Sequence, residues 1–254
     1  MSLSFEVRDA GPVRLIAWTN REHRNAFDPD DRARLADLVD AATVDGVRAL
    51  ILHGTDGTFS AGGDIRSMTT DTAVAAPRLD DVTHAIRAVA QASFPVLTAV
   101  EGSCFGFGLA LAAVSDHVVA AEDATFCCPF PHLGLAADGG LHHSLPRRVG
   151  NGRAGRMLLF AERVDAVRAE SWGLVDRLTP SGSALDAARE AAEVLTTLAP
   201  GSLAAAKRIT RSAGSLADAL AAEKQTQLDL IRTADFAEGT AAFLARRRPE
   251  FTGR

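Results

Sequence analysis

Leu50-Ile51-Leu52-His53-Gly54, followed shortly by Phe59-Ser60-Ala61-Gly62-Gly63-Asp64-Ile65, is an apolar run that breaks into a small-residue loop and then into a helical turn. Small side chains there leave backbone N–H groups bare, so that a ligand oxygen can approach them closely. A second stretch repeats the arrangement. Val96-Leu97-Thr98-Ala99-Val100 runs into Glu101-Gly102-Ser103-Cys104-Phe105-Gly106-Phe107-Gly108 and then into the helical pattern of Leu109-Ala110-Leu111-Ala112-Ala113. Two strand-to-helix turns of this kind can converge on one developing anion.

The 254 residues suffice for one large domain, or for a core with an appended helical piece. With 47% hydrophobic and 23% charged residues the composition is that of a soluble globular chain rather than a disordered one. A net charge of −5 argues against a general nucleic-acid binder, which needs a basic face. No leader-like segment and no uncharged apolar run near the ~18 residues of a membrane span is present, so a cytoplasmic location without membrane contact is expected. Adjacent Cys127 and Cys128 with a lone Cys104 form neither a disulfide framework nor a paired-thiol metal pattern.

Along the chain, Ser4–Val7 and Val13–Thr19 flank Gly11-Pro12 as a hairpin. Asp28-Pro29 opens a helix that buries Leu35, Leu38, Val39 and Ala42. The small residues from Thr69 to Pro77 read as a mobile loop, a candidate lid, before a helix from about Asp80 to Gln91. Strands are expected at 96–100, 117–120 and 124–128, and a helix at 108–114. Gly134-Leu135-Ala136-Ala137-Asp138-Gly139-Gly140 forms a third informative loop, leading into a helix that ends near Gly150. From Ser183 onward the pattern is almost wholly helical, interrupted at Pro200-Gly201.

Taken together, the loops resemble the crotonase superfamily, the enoyl-CoA hydratase/isomerase family. The resemblance rests on Arg24-Asn25-Ala26, FSAGGDI at 59–65, the stretch 100–116, GLAADGG at 134–140, Trp172–Asp176 and Phe243–Phe251. It implies an α/β fold: a spiral of ββα repeats over residues 1–195, with a C-terminal helical oligomerisation region at 196–254 that builds trimers or dimers of trimers. It implies an acyl-CoA thioester as the partner and no cofactor beyond the coenzyme A of that substrate. The thioester oxygen would sit in an oxyanion hole made by the N–H groups of Ala61 and Phe107, donors of a kind worth ~10²–10³ in rate each. Glycine usually stands at the position of Phe107, so its side chain is expected either to narrow the acyl pocket or to shift the donor.

The same resemblance places the two glutamates of family hydratases on Ala110 and Phe130, neither of which moves a proton. One carboxylate remains, Asp138, in a stretch at 134–139 that is similar to the loop where family isomerases carry a proton-transferring aspartate. A double-bond shift needs only one such base. The reading is therefore an enoyl- or dienoyl-CoA isomerase. The alternatives are a hydratase with other acid/base groups, His142 among them, and a catalytically silent acyl-CoA binder. Substrate contacts are expected at Arg24, Ala26, Ala61, Gly62, Gly63, Asp64, Ile65, Phe107 and Phe130, with Phe243 and Arg246 reaching the coenzyme A of a neighbouring subunit. For Asp138 and Asp64 the competing role is helix capping. Glu101 is expected to bond its own turn, and Cys104 to pack in the core. Gly106-Phe107-Gly108 lacks the third glycine of a dinucleotide fingerprint, because Leu111 stands there.

Overall fold

Side chains in the central strands alternate between two apolar layers. Ile16, Trp18, Leu50, Leu52, Val96, Val100, Val118 and Ala120 are buried on one face; Leu15, Ala49, Ile51, Leu97, Ala99 and Val119 are buried on the other. A period of two with both faces buried is the pattern of a sheet covered on both sides. The computed structural model describes residues 2–212 and 214–254. Its elements in order are β1 (Ser4–Ala10), β2 (Val13–Thr19), α1 (Pro29–Val44), β3 (Ala49–Gly54), α2 (Thr72–Gln91), β4 (Val96–Val100), β5 (Ser103–Phe105), α3 (Phe107–Val114), β6 (His117–Ala121) and β7 (Thr125–Cys127). There follow α4 (Leu141–Val149), α5 (Asn151–Phe160), β8 (Val164–Asp165), α6 (Ala166–Trp172), β9 (Arg177–Thr179), α7 (Ala184–Thr196), α8 (Pro200–Ser212), α9 (Leu216–Leu230) and α10 (Ala234–Leu244).

One sheet runs β1-β2-β3-β4-β6-β9, with the β1/β2 hairpin antiparallel and every other pair parallel. A smaller sheet, β5-β7-β8, lies beside it. The expected hairpin turns at Gly11-Pro12, with Ala10 opposite Val13. The first helix starts at Pro29 under a capping box, in which Asp28 accepts from the Asp31 N–H and Asp31 accepts from the Asp28 N–H, both at 2.9 Å. Helix α7 covers the outer face of the large sheet with Ala184, Ala187, Ala188 and Ala192, small side chains that allow close approach. The C-terminal helices are held to the core by Lys207 of α8, whose buried ammonium donates to the carbonyls of Val89 and Phe94 and pairs with Asp116 at 2.8 Å.

Of the expected mobile loop at Thr69–Pro77, only Thr69–Asp71 is loop. Helix α2 begins at Thr72, capped by Asp71, whose carboxylate accepts from the Ala73 N–H at 2.9 Å, and it continues through Pro77. Its first two turns project into solvent, with Val74 and Leu79 exposed, so no apolar stripe marks them in the sequence. Pro77 costs this helix one hydrogen bond rather than ending it.

Candidate active site

The segment Phe59–Asp64 threads between two others. On one side, the Phe59 and Ser60 N–H groups donate to the carbonyls of Glu101 and Ser103, and the Phe105 N–H donates to the Ser60 carbonyl. On the other, the Ala61 N–H donates to the Arg24 carbonyl at 2.9 Å, and Phe27 is bracketed by bonds to the Gly62 carbonyl and the Asp64 N–H, both at 2.8 Å. Asn25 fixes that crossing. It is buried, at φ 57°, and its amide donates to the carbonyls of Thr55 and Thr58 while its own carbonyl accepts from the Ser60 hydroxyl at 2.7 Å. Beneath the loops lies an aromatic cluster in which Trp18 stands edge-on to Phe27 and Phe59, and Phe27 edge-on to Phe107, with ring centres 5.0–5.2 Å apart.

This crossing corrects one expected donor. The Ala61 N–H is spent on Arg24. Gly63 is the residue bridged to Phe27 through its two neighbours, so its own N–H points away from Phe27, and among the described residues it meets no acceptor. Gly62, at φ +105°, lies against the next turn, where a Cβ would stand 3.1 Å from the Phe105 carbonyl oxygen and 3.6 Å from the Gly106 Cα. That turn carries the second N–H expected as a donor. The Phe107 N–H heads α3, in the first turn of a helix, where N–H groups lack an intrahelical acceptor. The positive φ of this turn falls on Gly106, at 52°, and not on Phe107. The phenylalanine ring turns into the aromatic cluster and is 3% exposed, so it supports the donor instead of displacing it.

Asp138 lies opposite in the third loop. The expected capping role is not the one it plays, because α4 begins at Leu141 with Gly140 at the N-cap and no side-chain cap. The carboxyl is half-buried and makes no ion pair among the described residues; burial raises its pKa above the usual carboxylate value, with Arg32 opposing the rise. Gly139, at φ +58°, brings this loop against α3, where a Cβ on it would stand 2.7 Å from the Ala110 Cβ. The absence of a side chain at 139 is what allows the loop to close on the helix. Phe130 begins a short 3-10 turn and packs toward Gly106, its ring edge 3.9 Å from where a Cβ on that glycine would stand.

Other expected residues take structural places. The Asp64 carboxylate accepts from the Arg66 N–H at 3.0 Å and pairs with its guanidinium at 2.7 Å, which holds its pKa below the usual value. Ile65 next to it is 59% exposed at the rim. The Arg24 guanidinium donates to the Ser103 hydroxyl at 2.6 Å, and the Ala26 N–H to the His23 carbonyl at 3.1 Å. Glu101 bonds not its own turn but the N–H groups of Gly182 and Ala184, at 3.0 and 2.9 Å, and so fastens the start of α7. Cys104 is buried and its thiol is pushed well up in pKa by desolvation, as packing requires. His142 is exposed. Phe243 is exposed and lines a groove bounded by residues 199–254 alone, so within one protomer it is not brought to the three loops. Among the described residues no cluster of His, Cys, Asp or Glu could hold a metal.

One neighbour of the site carried no signal in the sequence. Arg32, from the first turns of α1, lays its guanidinium over Gly63, with Nη2 2.7 Å from where a Cβ on that glycine would stand and Cζ 5.7 Å from the centre of the Phe107 ring.

Comparison with known proteins gives the family. The family model described as "Enoyl-CoA hydratase/isomerase" matches residues 9–254. A 1,2-epoxyphenylacetyl-CoA isomerase of Escherichia coli K12 is 34% identical over 250 residues, covering 95% of each chain. A probable enoyl-CoA hydratase of Rhodobacter capsulatus is 36% identical, covering 100% of this chain and 98% of the relative. Among solved structures, an enoyl-CoA hydratase from Polaromonas sp. JS666 superposes with a TM-score of 0.93 at 30% identity, covering 98% of this chain and 99% of that one. The chain belongs to the enoyl-CoA hydratase/isomerase family, the crotonase superfamily, whose members act on acyl-CoA thioesters.

Proposed function

We propose that this protein is an acyl-CoA isomerase that moves a double bond through a thioester enolate, with Asp138 as the single proton carrier. The observation behind this reading is the pairing of one uncapped, half-buried carboxyl with apolar residues at the two neighbouring positions: Ala110 is fully buried and Phe130 is an aromatic wall. In the proposed cycle the thioester oxygen accepts from the N–H groups of Gly63 and Phe107. Asp138 takes a proton from the carbon next to the thioester, the electron pair moves onto the oxygen as the enolate forms, and the double bond shifts. The same carboxyl returns the proton to the far carbon. Atoms and charge balance with no water or redox partner. Donors aimed at the developing charge supply the electrostatic share of the rate, and a positioned base adds a further ~10²–10⁴.

Hydration needs a second positioned group for the water, and Ala110 and Phe130 supply none. Mass spectrometry of the products from a panel of 2- and 3-enoyl-CoA thioesters separates the two outcomes. Isomerisation leaves the mass unchanged, and hydration adds one water. A dominant hydrated product would overturn the proposal.

The oligomer belongs to the same reading. Phe243 and Leu244 of α10, with Leu159 and Phe160 at the end of α5, are 74–83% exposed, apolar surface of the kind that a neighbouring copy covers. A homotrimer or dimer of trimers would bring Phe243 and Arg246 to a neighbour's thioester.

A further inference from the structure

Arg32 is a cation without a close counterion. Its Nε is buried and meets no acceptor, and Nη2 makes a 3.3 Å bond to the Phe27 carbonyl. No carboxylate oxygen among the described residues lies within the 4.0 Å of an ion pair. Asp28, Asp31, Asp81 and Asp138 act on it only from farther off. The first two are committed elsewhere: both oxygens of Asp31 accept backbone N–H groups, from Leu3 and Asp28, and Asp28 caps α1. A guanidinium removed from water in this way is costly unless it finds acceptors.

Its position says where the acceptor comes from. It lies over Gly63 and against the Phe107 ring, the two residues whose N–H groups are assigned to the thioester oxygen, and its field reaches Asp138. We infer that Arg32 is an acyl-group subsite, which binds an oxygen acceptor, a carboxylate or a carbonyl, carried on the acyl chain within a few bonds of the thioester. The preferred substrates are then short, oxygen-bearing acyl thioesters rather than plain alkenoyl chains. The inference rests on the proposed thioester site and adds the chemistry of the acyl group to it. The planar fork of donors can take two oxygens at once, which suits a carboxylate best.

Isothermal titration with succinyl-CoA, acetoacetyl-CoA, butyryl-CoA and free coenzyme A tests it, on the full chain and on Arg32→Met and Arg32→Lys. A charged hydrogen bond to the acyl oxygen predicts that wild type binds succinyl-CoA roughly 10-fold or more tighter than butyryl-CoA. That ratio should fall to about one in Arg32→Met and recover in part in Arg32→Lys. Tight binding of acetoacetyl-CoA as well would show that a neutral oxygen suffices. Equal wild-type affinity for succinyl- and butyryl-CoA overturns the inference while leaving the thioester site intact, as does an unchanged ratio in Arg32→Met. Equal weakening of free coenzyme A overturns it too, by placing Arg32 on the coenzyme. If no thioester binds at all, the proposed function falls first and this subsite with it.

Discussion

Gly139→Ala probes the contact between the loop that carries Asp138 and helix α3. The new methyl group would stand 2.7 Å from the Ala110 Cβ, against a normal carbon–carbon separation of ~3.5–4.0 Å, so the loop must retreat by about 1 Å. The substitution also forces an L-residue to hold φ +58°. The left-handed conformation costs ~1–2 kcal/mol and overpacking ~1–3, so the expected destabilisation is about 2–5 kcal/mol. Because Asp138 is the preceding residue, the same retreat misplaces the base, and a 1 Å error in a catalytic group costs on the order of 10²-fold in rate. Urea denaturation reads the first effect, and deuterium exchange into an acyl-CoA ligand reads the second. Ala110→Gly removes the clash but not the backbone strain, so the double variant should recover ~1–3 kcal/mol relative to additivity. A Gly139→Ala protein with wild-type stability and exchange, or a strictly additive double variant, would refute the idea that the bare Gly139 seats this loop against Ala110.

Electrostatics sets the remaining expectations. As the proposed base, Asp138 must be ionised, and burial raises its pKa, so exchange should fall away on the acid side with a midpoint above the ordinary ~3.9. Arg32 opposes that rise, so Arg32→Met should move the limb to still higher pH. A carboxyl whose pKa is raised on folding holds its proton more tightly in the native state, and stability is lost as pH climbs from the unfolded to the folded value. Asp138→Asn should therefore be at least as stable as wild type near neutral pH, which a thermal melt checks. Lys207→Met strands the Val89 and Phe94 carbonyls and leaves Asp116 without its ammonium, and the expected loss is about 2–4 kcal/mol in urea denaturation.

What could be read from the sequence was what local chemistry dictates. The strand at Val96–Val100, the Asp28-Pro29 helix start and the small-residue turns at 61–63 and 106–108 are short-range patterns, and the structure keeps them. What stayed hidden depends on distant partners. Whether Ala61 or Gly63 offers a free N–H is decided by Arg24 crossing from another part of the chain. Arg32, among Asp30, Asp31 and Arg34, reads as one more polar residue of an exposed helix start; it lies over the loop at Gly63, where no side chain stands in its way. Glu101 looks local because nothing in the sequence announces that the start of α7 will land on it. Strands of two or three residues such as β8 and β9 have no period to detect, and the exposed first half of α2 had no apolar face to betray it.

Proton transfer by Asp138, at the carbon next to a thioester held by Gly63 and Phe107, is the core of the proposed function. Its most direct test is incubation of wild type and Asp138→Asn with acyl- and enoyl-CoA thioesters in heavy water, following deuterium at the carbons flanking the thioester and the double bond. Exchange is expected in wild type, with a loss of ~10²-fold or more in Asp138→Asn while thioester binding is retained. Exchange at the same rate in both proteins, or saturable binding with no exchange in either, would contradict it.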